Sequence, residues 1–110
     1  MKTLRKVIAV DFDDCICTNN WPGVGKPDFN IINQIKEEQK KGTAIILWSC
    51  REGVALQNAV IACKSWGIEF DAVNENIPER IREWGRDSRK VWADEYWDDL
   101  AVKKAVSNNL

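Results

Sequence analysis

Carboxylate side chains gather where apolar segments of this chain end. Asp11 and Asp13 follow Val7–Val10, and Asp98 and Asp99 follow a second, more mixed segment. Carboxylates that converge on one point repel each other unless a cation joins them, and oxygen ligands suit a hard ion such as Mg²⁺. The pattern therefore predicts a magnesium site of the kind that accompanies phosphate chemistry.

The residue types that are missing narrow the chemistry further. The sequence contains no histidine, which excludes Ser-His-Asp and Cys-His catalysis, histidine-based zinc hydrolysis and histidine phosphotransfer. Four cysteines are present, but Cys15-x-Cys17 without a second close pair is poor zinc spacing. We expect buried thiols, and chemistry carried by carboxylates, Lys, Ser, Cys or a bound metal.

Length and composition predict one globular domain over residues 1–110. Sixteen basic and 17 acidic residues leave a formal net charge of −1, so nothing draws the whole chain toward nucleic acid or an anionic membrane. The longest uncharged apolar run, Ala44–Trp48, is far shorter than the roughly 20 residues of a membrane span. We expect a cytoplasmic protein with no membrane partner.

Apolar segments alternate with helical patterns along the whole chain. Continuous apolar runs predict strands covered on both faces, and apolar residues at i, i+3 and i+4 predict amphipathic helices. The predicted strands are Lys6–Phe12, Thr43–Ser49, Glu69–Val73 and Val91–Trp97, and the predicted helices run from the cap Asp28 to Lys41, over Gly53–Trp66, Pro78–Trp84 and Leu100–Val106. This order predicts an α/β fold with a parallel sheet of about four strands flanked by helices.

Parallel sheets bind ligands at the carboxyl ends of their strands. The first predicted strand ends on Asp11 and Asp13, the second on Ser49-Cys50-Arg51, and the fourth on Asp98-Asp99. These groups should therefore meet at one edge of the sheet. The segment 13–27, rich in Asn, Gly and Pro, predicts a loop long enough to have a functional role.

Four motifs in order resemble those of the haloacid dehalogenase (HAD) superfamily and cover nearly the whole chain. They are Val7-Ile-Ala-Val-Asp11-Phe-Asp13, Ile45-Ile-Leu-Trp-Ser49, Lys90, and Tyr96-Trp-Asp98-Asp99. Longer strings, including Trp48-Ser-Cys-Arg51 and Phe70-Asp-Ala-Val-Asn74-Glu-Asn76, resemble a group of short, capless HAD-like hydrolases of phages and bacteria. Asp14 and Cys15 stand where the superfamily often has Gly and Thr. The resemblance implies a single Rossmann-like domain.

The resemblance also implies a magnesium-dependent phosphatase. Asp11 would be the nucleophile that forms an aspartyl phosphate, and Asp13 would be the general acid and base. Mg²⁺ would be held by the Asp11 carboxylate, the backbone carbonyl of Asp13 and the Asp98 carboxylate, while Lys90 would add positive charge. Ser49 and nearby backbone N–H groups would hold the phosphoryl oxygens.

Several neighbouring residues are also candidates for a role at the site. Cys50 and Arg51 follow Ser49 closely enough to contact a substrate. Asp99 would either support the metal or cap the last helix. Trp48 is expected in the core, whereas Trp21 in the loop 13–27 is equally compatible with core packing and with a substrate pocket.

No segment is long enough for a cap domain, so the substrate must be confined by the loop 13–27, by a second subunit of a homo-oligomer or by its own bulk. A phosphorylated small molecule is the expected substrate.

Three other interpretations fit parts of the pattern. The same acids could serve a catalytically idle, Mg²⁺-dependent module that binds phosphate or nucleotide. A two-component receiver would carry its phosphoryl group on Asp71, at the third strand. The basic run Arg80–Lys90 could receive a nucleic-acid end, as in a polynucleotide phosphatase, although the near-zero net charge disfavours this.

Overall fold

The computed structural model describes residues 5–85, 91–98 and 101–104, and within them eight elements form one α/β sandwich. The strands are β1 (Val7–Val10), β2 (Ala44–Leu47), β3 (Ala72–Val73), β4 (Glu95–Asp98) and β5 (Ala101–Lys104), and the helices are α1 (Phe29–Lys40), α2 (Gly53–Ser65) and α3 (Pro78–Trp84). They form a five-stranded sheet in the order β3-β2-β1-β4-β5. The predicted α/β fold, with four parallel strands and flanking helices, is confirmed. No cap domain interrupts the described part of the chain.

The fifth strand corrects one prediction. Residues 101–104 pair antiparallel with β4, with Val102 opposite Trp97 and Ala101 opposite Asp98, so the helix predicted over 100–106 is wrong. Only two residues separate β4 from β5, which is too short for a parallel crossover but enough for a hairpin. Pairing with the outer edge of β4 satisfies backbone groups there that a helix would have left unpaired.

The two central strands are apolar because both faces of the sheet are covered. Every residue of β1 and β2 is fully buried, as expected for strands inside a parallel sheet. On one face lie Ile8, Val10, Ile45 and Leu47, packed with Ile32, Ile35, Ala59 and Cys63 of α1 and α2. On the other face Val7, Ala9, Ala44 and Ile46 pack with Ile77 and Ala93.

Two aspartates explain why β3 and β4 are shorter than the predicted strands. The Asp71 carboxylate accepts a hydrogen bond from the Ile45 N–H at 2.8 Å, and the Asp94 carboxylate accepts one from the Val7 N–H at 2.8 Å. In both cases the aspartate's own N–H donates to the carbonyl of the same partner residue. A side chain therefore takes the place of a backbone carbonyl where each ladder begins, so a charged residue can precede a buried strand.

Local signals set the helix ends as predicted. Asp28 Oδ1 accepts hydrogen bonds from the N–H groups of Asn30 and Ile31, at 3.0 and 3.4 Å, and so caps α1. Pro78 occupies the first turn of α3. Among the described residues, no helix is both long and apolar enough to cross a membrane.

None of the four cysteines, all of which lie in the described part of the chain, forms a disulfide. Cys15, Cys17 and Cys63 are buried, as the sequence predicts, whereas Cys50 is exposed.

Candidate active site

The register of the sheet places Asp11 between Trp48 and Asp98 at the carboxyl edge. Val10 pairs with Leu47 of β2 and with Trp97 of β4, so the next residue along each strand forms the row Trp48–Asp11–Asp98. Two further backbone bonds extend the pairing: the Asp11 N–H donates to the Trp97 carbonyl at 2.8 Å, and the Trp48 N–H donates to Val10 at 2.9 Å. Because alternate residues share a face, all three side chains lie on the same side of the sheet. Asp11 and Asp98 therefore occupy neighbouring positions at this edge of the sheet.

A tight turn follows Asp11 and redirects the chain above the sheet. The Phe12 carbonyl accepts hydrogen bonds from the N–H groups of Cys15, Ile16 and Cys17 at 3.0–3.3 Å. Asp14 takes a left-handed conformation with φ of 61°, which glycine adopts most readily and aspartate tolerates. A glycine at position 14 would therefore fit the same backbone conformation. The Phe12 N–H donates to Asp11 Oδ1 at 2.8 Å, which fixes the orientation of that carboxylate.

Asp13 forms a two-pronged ion pair with Arg51. Arg51 Nε and Nη2 donate to the two carboxylate oxygens of Asp13 at 2.9 and 2.7 Å. The remaining guanidinium N–H groups donate to the carbonyls of Pro22, Gly23 and Ala55 at 2.6–3.2 Å. The hydrogen bond to Asp13 raises the pKa of Arg51 further above its ordinary value, so the guanidinium is a permanent cation.

The placement of Arg51 does not fit the direct substrate contact that the sequence suggested. Its side chain is only 1% exposed, and all five N–H groups are bonded within the protein. Arg51 acts instead as a cross-link between the first strand's turn, the loop 13–27 and α2. The sequence could not indicate this, because the carboxylate partner lies 38 positions earlier and the carbonyl acceptors carry no residue-type signal.

Asn74 positions Ser49, a role that the sequence analysis missed. The Ser49 N–H donates to Asn74 Oδ1 at 2.8 Å, and the Asn74 N–H donates to the Leu47 carbonyl at 2.7 Å. Ser49 Oγ accepts a hydrogen bond from the Arg51 N–H at 3.1 Å. Ser49 therefore lies in a fixed turn beyond β2, half-buried, with the exposed Cys50 beside it.

Two exposed tryptophans lie near predicted site residues: Trp48 beside Asp11, and Trp21 against Arg51. Trp48 is 41% exposed, so its predicted place in the core is wrong: it lies one residue beyond the end of β2, where the covering layer stops. Its ring meets Tyr96 edge-on, with 5.2 Å between ring centroids. Trp21 is 58% exposed and lies over the Arg51 guanidinium, whose Cζ is 5.1 Å from the ring centroid.

Lys90 and Asp99 lie outside the described residues, so their roles stay predictions. Arg80, which opens the basic run, donates through Nη2 to the Arg5 carbonyl at 3.0 Å and stacks on Trp92, while its Nε is buried without a hydrogen-bond partner among the described residues.

The donor chemistry of the predicted metal site fits Mg²⁺. Within the described stretches no group of three or more His, Cys, Asp or Glu side chains could hold a metal ion. The predicted set differs in kind, because it combines two carboxylates, Asp11 and Asp98, with the backbone carbonyl of Asp13. All three are oxygen donors, which a hard cation prefers.

Fold and site together define a small α/β protein with an acidic cluster at the carboxyl edge of its sheet. Its structure is similar to that of a conserved protein from Bacteroides thetaiotaomicron, with a TM-score of 0.75, 35% sequence identity and coverage of 93% of this chain and 82% of that one. The chain belongs to the same family as that Bacteroides protein. No protein-family model and no curated protein matches the chain.

Proposed function

We propose that this protein is a Mg²⁺-dependent phosphomonoester hydrolase of the HAD type. The observation that carries the proposal is the row at the sheet edge. In this row Asp11 lies between Asp98, after β4, and Trp48, after β2, and Ser49 is the next residue after Trp48. Nucleophile, metal-binding carboxylate and phosphate-binding hydroxyl are then supplied by three adjacent strands. Such convergence is what an in-line phosphoryl transfer requires.

The proposed reaction has two steps. In the first, an Asp11 carboxylate oxygen forms a bond to phosphorus as the bond to the leaving oxygen breaks, and Asp13 gives that oxygen a proton. In the second, water attacks phosphorus, Asp13 takes a proton from the water, and the bond to Asp11 breaks to release phosphate. Asp11 and Asp13 are thereby restored.

Electrostatic repulsion is the main obstacle, because the nucleophile and the phosphate are both anionic, and the reaction therefore requires charge neutralisation. Mg²⁺ held by Asp11, Asp98 and the Asp13 carbonyl would supply it. The Ser49 hydroxyl and the N–H groups of the turn after β2 would orient the phosphoryl oxygens, and Lys90 would add a further positive charge.

A second candidate, the idle Mg²⁺-dependent phosphate-binding module, is favoured by one observation. Both carboxylate oxygens of Asp13 are bonded to Arg51. To act on a leaving oxygen, Asp13 must exchange at least one of these hydrogen bonds for one to the substrate. A protein that only binds phosphate needs no such exchange.

Hydrolysis of p-nitrophenyl phosphate with Mg²⁺ tests the proposal. Asp11→Asn should lower kcat by about a thousandfold or more, because it removes the nucleophile. Asp14→Asn is the matched control: this neighbouring carboxylate is exposed, asparagine tolerates the same left-handed backbone, and the rate should stay at the parent value. EDTA should abolish activity and added Mg²⁺ restore it.

Two outcomes decide between the candidates. An Asp11→Asn variant as fast as the parent overturns the hydrolase. Calorimetric binding of phosphate with Mg²⁺, without release of phosphate from sugar phosphates, nucleoside monophosphates or phosphorylated oligonucleotides, establishes the binding module. The cytoplasmic location, the small-molecule substrate and a homo-oligomer stay predictions from the sequence.

A further inference from the structure

Trp21 is a large apolar side chain that is exposed and yet held in place. More than half of its surface is accessible to water. The backbone N–H of Trp21 donates to Asn19 Oδ1 at 3.0 Å, and the next two carbonyls, of Pro22 and Gly23, accept hydrogen bonds from Arg51 at 3.1 and 2.6 Å. Arg51 also supports the ring itself by a cation–π contact.

The same guanidinium connects Trp21 to Asp13. Arg51 donates to both oxygens of Asp13 and lies under the Trp21 ring. In the proposed reaction Asp13 protonates the leaving oxygen, so the organic group attached to that oxygen emerges on the Asp13 side of the site. Trp21 is an exposed aromatic side chain that Arg51 joins to Asp13, whereas Trp48 lies beside Asp11 in the row at the sheet edge and contacts Tyr96.

The physical properties of this arrangement suit a flat ligand. Aromatic rings pack best against other aromatic rings, in offset-stacked or edge-on geometry. A side chain that is already ordered loses little conformational entropy when a ligand covers it. The exposed part of the Trp21 ring is therefore a preorganised surface on the far side of the guanidinium that holds Asp13.

We propose that Trp21 binds the leaving group of the substrate and that this leaving group carries a planar aromatic ring. The inference rests on the proposed hydrolase function and adds a substrate class to it. Trp21 takes over part of the work of a cap domain, because it covers the substrate from a loop that Arg51 fixes.

A pair of substrates isolates planarity from chemical reactivity. Benzyl phosphate and cyclohexylmethyl phosphate both release a primary alcohol of similar size, but only benzyl alcohol is planar and aromatic. The parent protein should favour benzyl phosphate in kcat/KM by about 2- to 10-fold, the range expected from one aromatic contact. Trp21→Leu should remove this preference, and Trp21→Phe should retain it.

The matched control is Trp84→Leu. Trp84 is also exposed, at 39%, but it ends α3, whose first turn contacts Arg5 at the opposite end of β1. This variant should keep the parent's preference. Thermal unfolding of each variant shows whether it is folded before its kinetics are compared.

The outcomes separate this inference from the function on which it rests. If the parent hydrolyses none of the three compounds, benzyl phosphate, cyclohexylmethyl phosphate and p-nitrophenyl phosphate, the proposed function itself fails. If the parent hydrolyses both alcohol phosphates equally well, or if folded Trp21→Leu lowers both rates by the same factor, the assignment of Trp21 is overturned. Loss of the preference in Trp84→Leu would also overturn it.

Discussion

The Asp13–Arg51 ion pair should make a large contribution to stability, and Arg51→Met tests this. The substitution keeps an apolar stem of similar length but strands the Asp13 carboxylate and leaves three carbonyls without their donor. Removing one partner of a buried ion pair costs about 3–5 kcal/mol. Because Asp13 is only partly buried, water can solvate its stranded carboxylate, so we expect a value near the lower limit, about 3 kcal/mol.

Urea unfolding followed by circular dichroism measures this loss. In a thermal scan it should lower Tm by about 12 °C, at about 4 °C per kcal/mol for a domain of this size. Asp13→Asn combined with Arg51→Met should lose about 2 kcal/mol less than the sum of the two single changes, since the double variant has no stranded charge. Arg5→Met is the control: the Arg5 side chain is 40% exposed, against 1% for Arg51, so at most about 1 kcal/mol should be lost.

Two results would refute the reasoning about the buried pair. One is a cost for Arg51→Met no greater than that for Arg5→Met. The other is strict additivity of the Asp13 and Arg51 changes, which would mean that the two side chains do not stabilise each other.

Two further predictions concern the core and the loop 13–27. Burial raises the pKa of the Cys63 thiol from 9.0 to about 12, so between these pH values the unfolded chain loses this proton while the folded protein keeps it, and stability falls by up to about 1.4 kcal/mol per pH unit. Cys63→Ala should remove that part of the slope in urea titrations from pH 9 to 11, and Cys50→Ala should not; equal slopes in all three proteins would exclude the effect. In the loop, a Cβ on Gly25 would lie 1.9 Å from the Thr18 carbonyl oxygen, so Gly25→Ala should cost about 1–3 kcal/mol in thermal or urea unfolding. A Cβ on Gly23 would meet its nearest neighbour at 3.2 Å, so Gly23→Ala should cost less, and equal losses would contradict the role of this close approach.

The parts of the fold that the sequence predicted are those set by local pattern. The apolar runs of β1 and β2 have no other stable place than inside a sheet that is covered on both faces. Asp28 and Pro78 mark helix starts through their own backbone chemistry. The placement of Asp11 and Asp98 at one edge of the sheet also followed from the sequence, because parallel neighbouring strands end at one edge.

The parts that the sequence missed depend on contacts distant in the chain. Arg51 resembles an anion-binding residue until its partner, Asp13, and the carbonyls of the loop are known. Trp48 is a large apolar residue that directly follows an apolar run, which is typical of a core position, but it lies beyond the last covered position of β2. The strand at 101–104 forms because the outer edge of β4 offers backbone partners, which no local propensity reports.

Trapping the phosphoryl group on the protein tests the central claim most directly. The parent is mixed with p-nitrophenyl phosphate and Mg²⁺, quenched in acid within one turnover, digested and analysed by mass spectrometry, with hydroxylamine sensitivity as the mark of an acyl phosphate. The account predicts a hydroxylamine-sensitive phosphoryl group on Asp11, absent in Asp11→Asn. A phosphoryl group on Asp71 or Ser49 instead, or turnover that proceeds with none on Asp11, would contradict it.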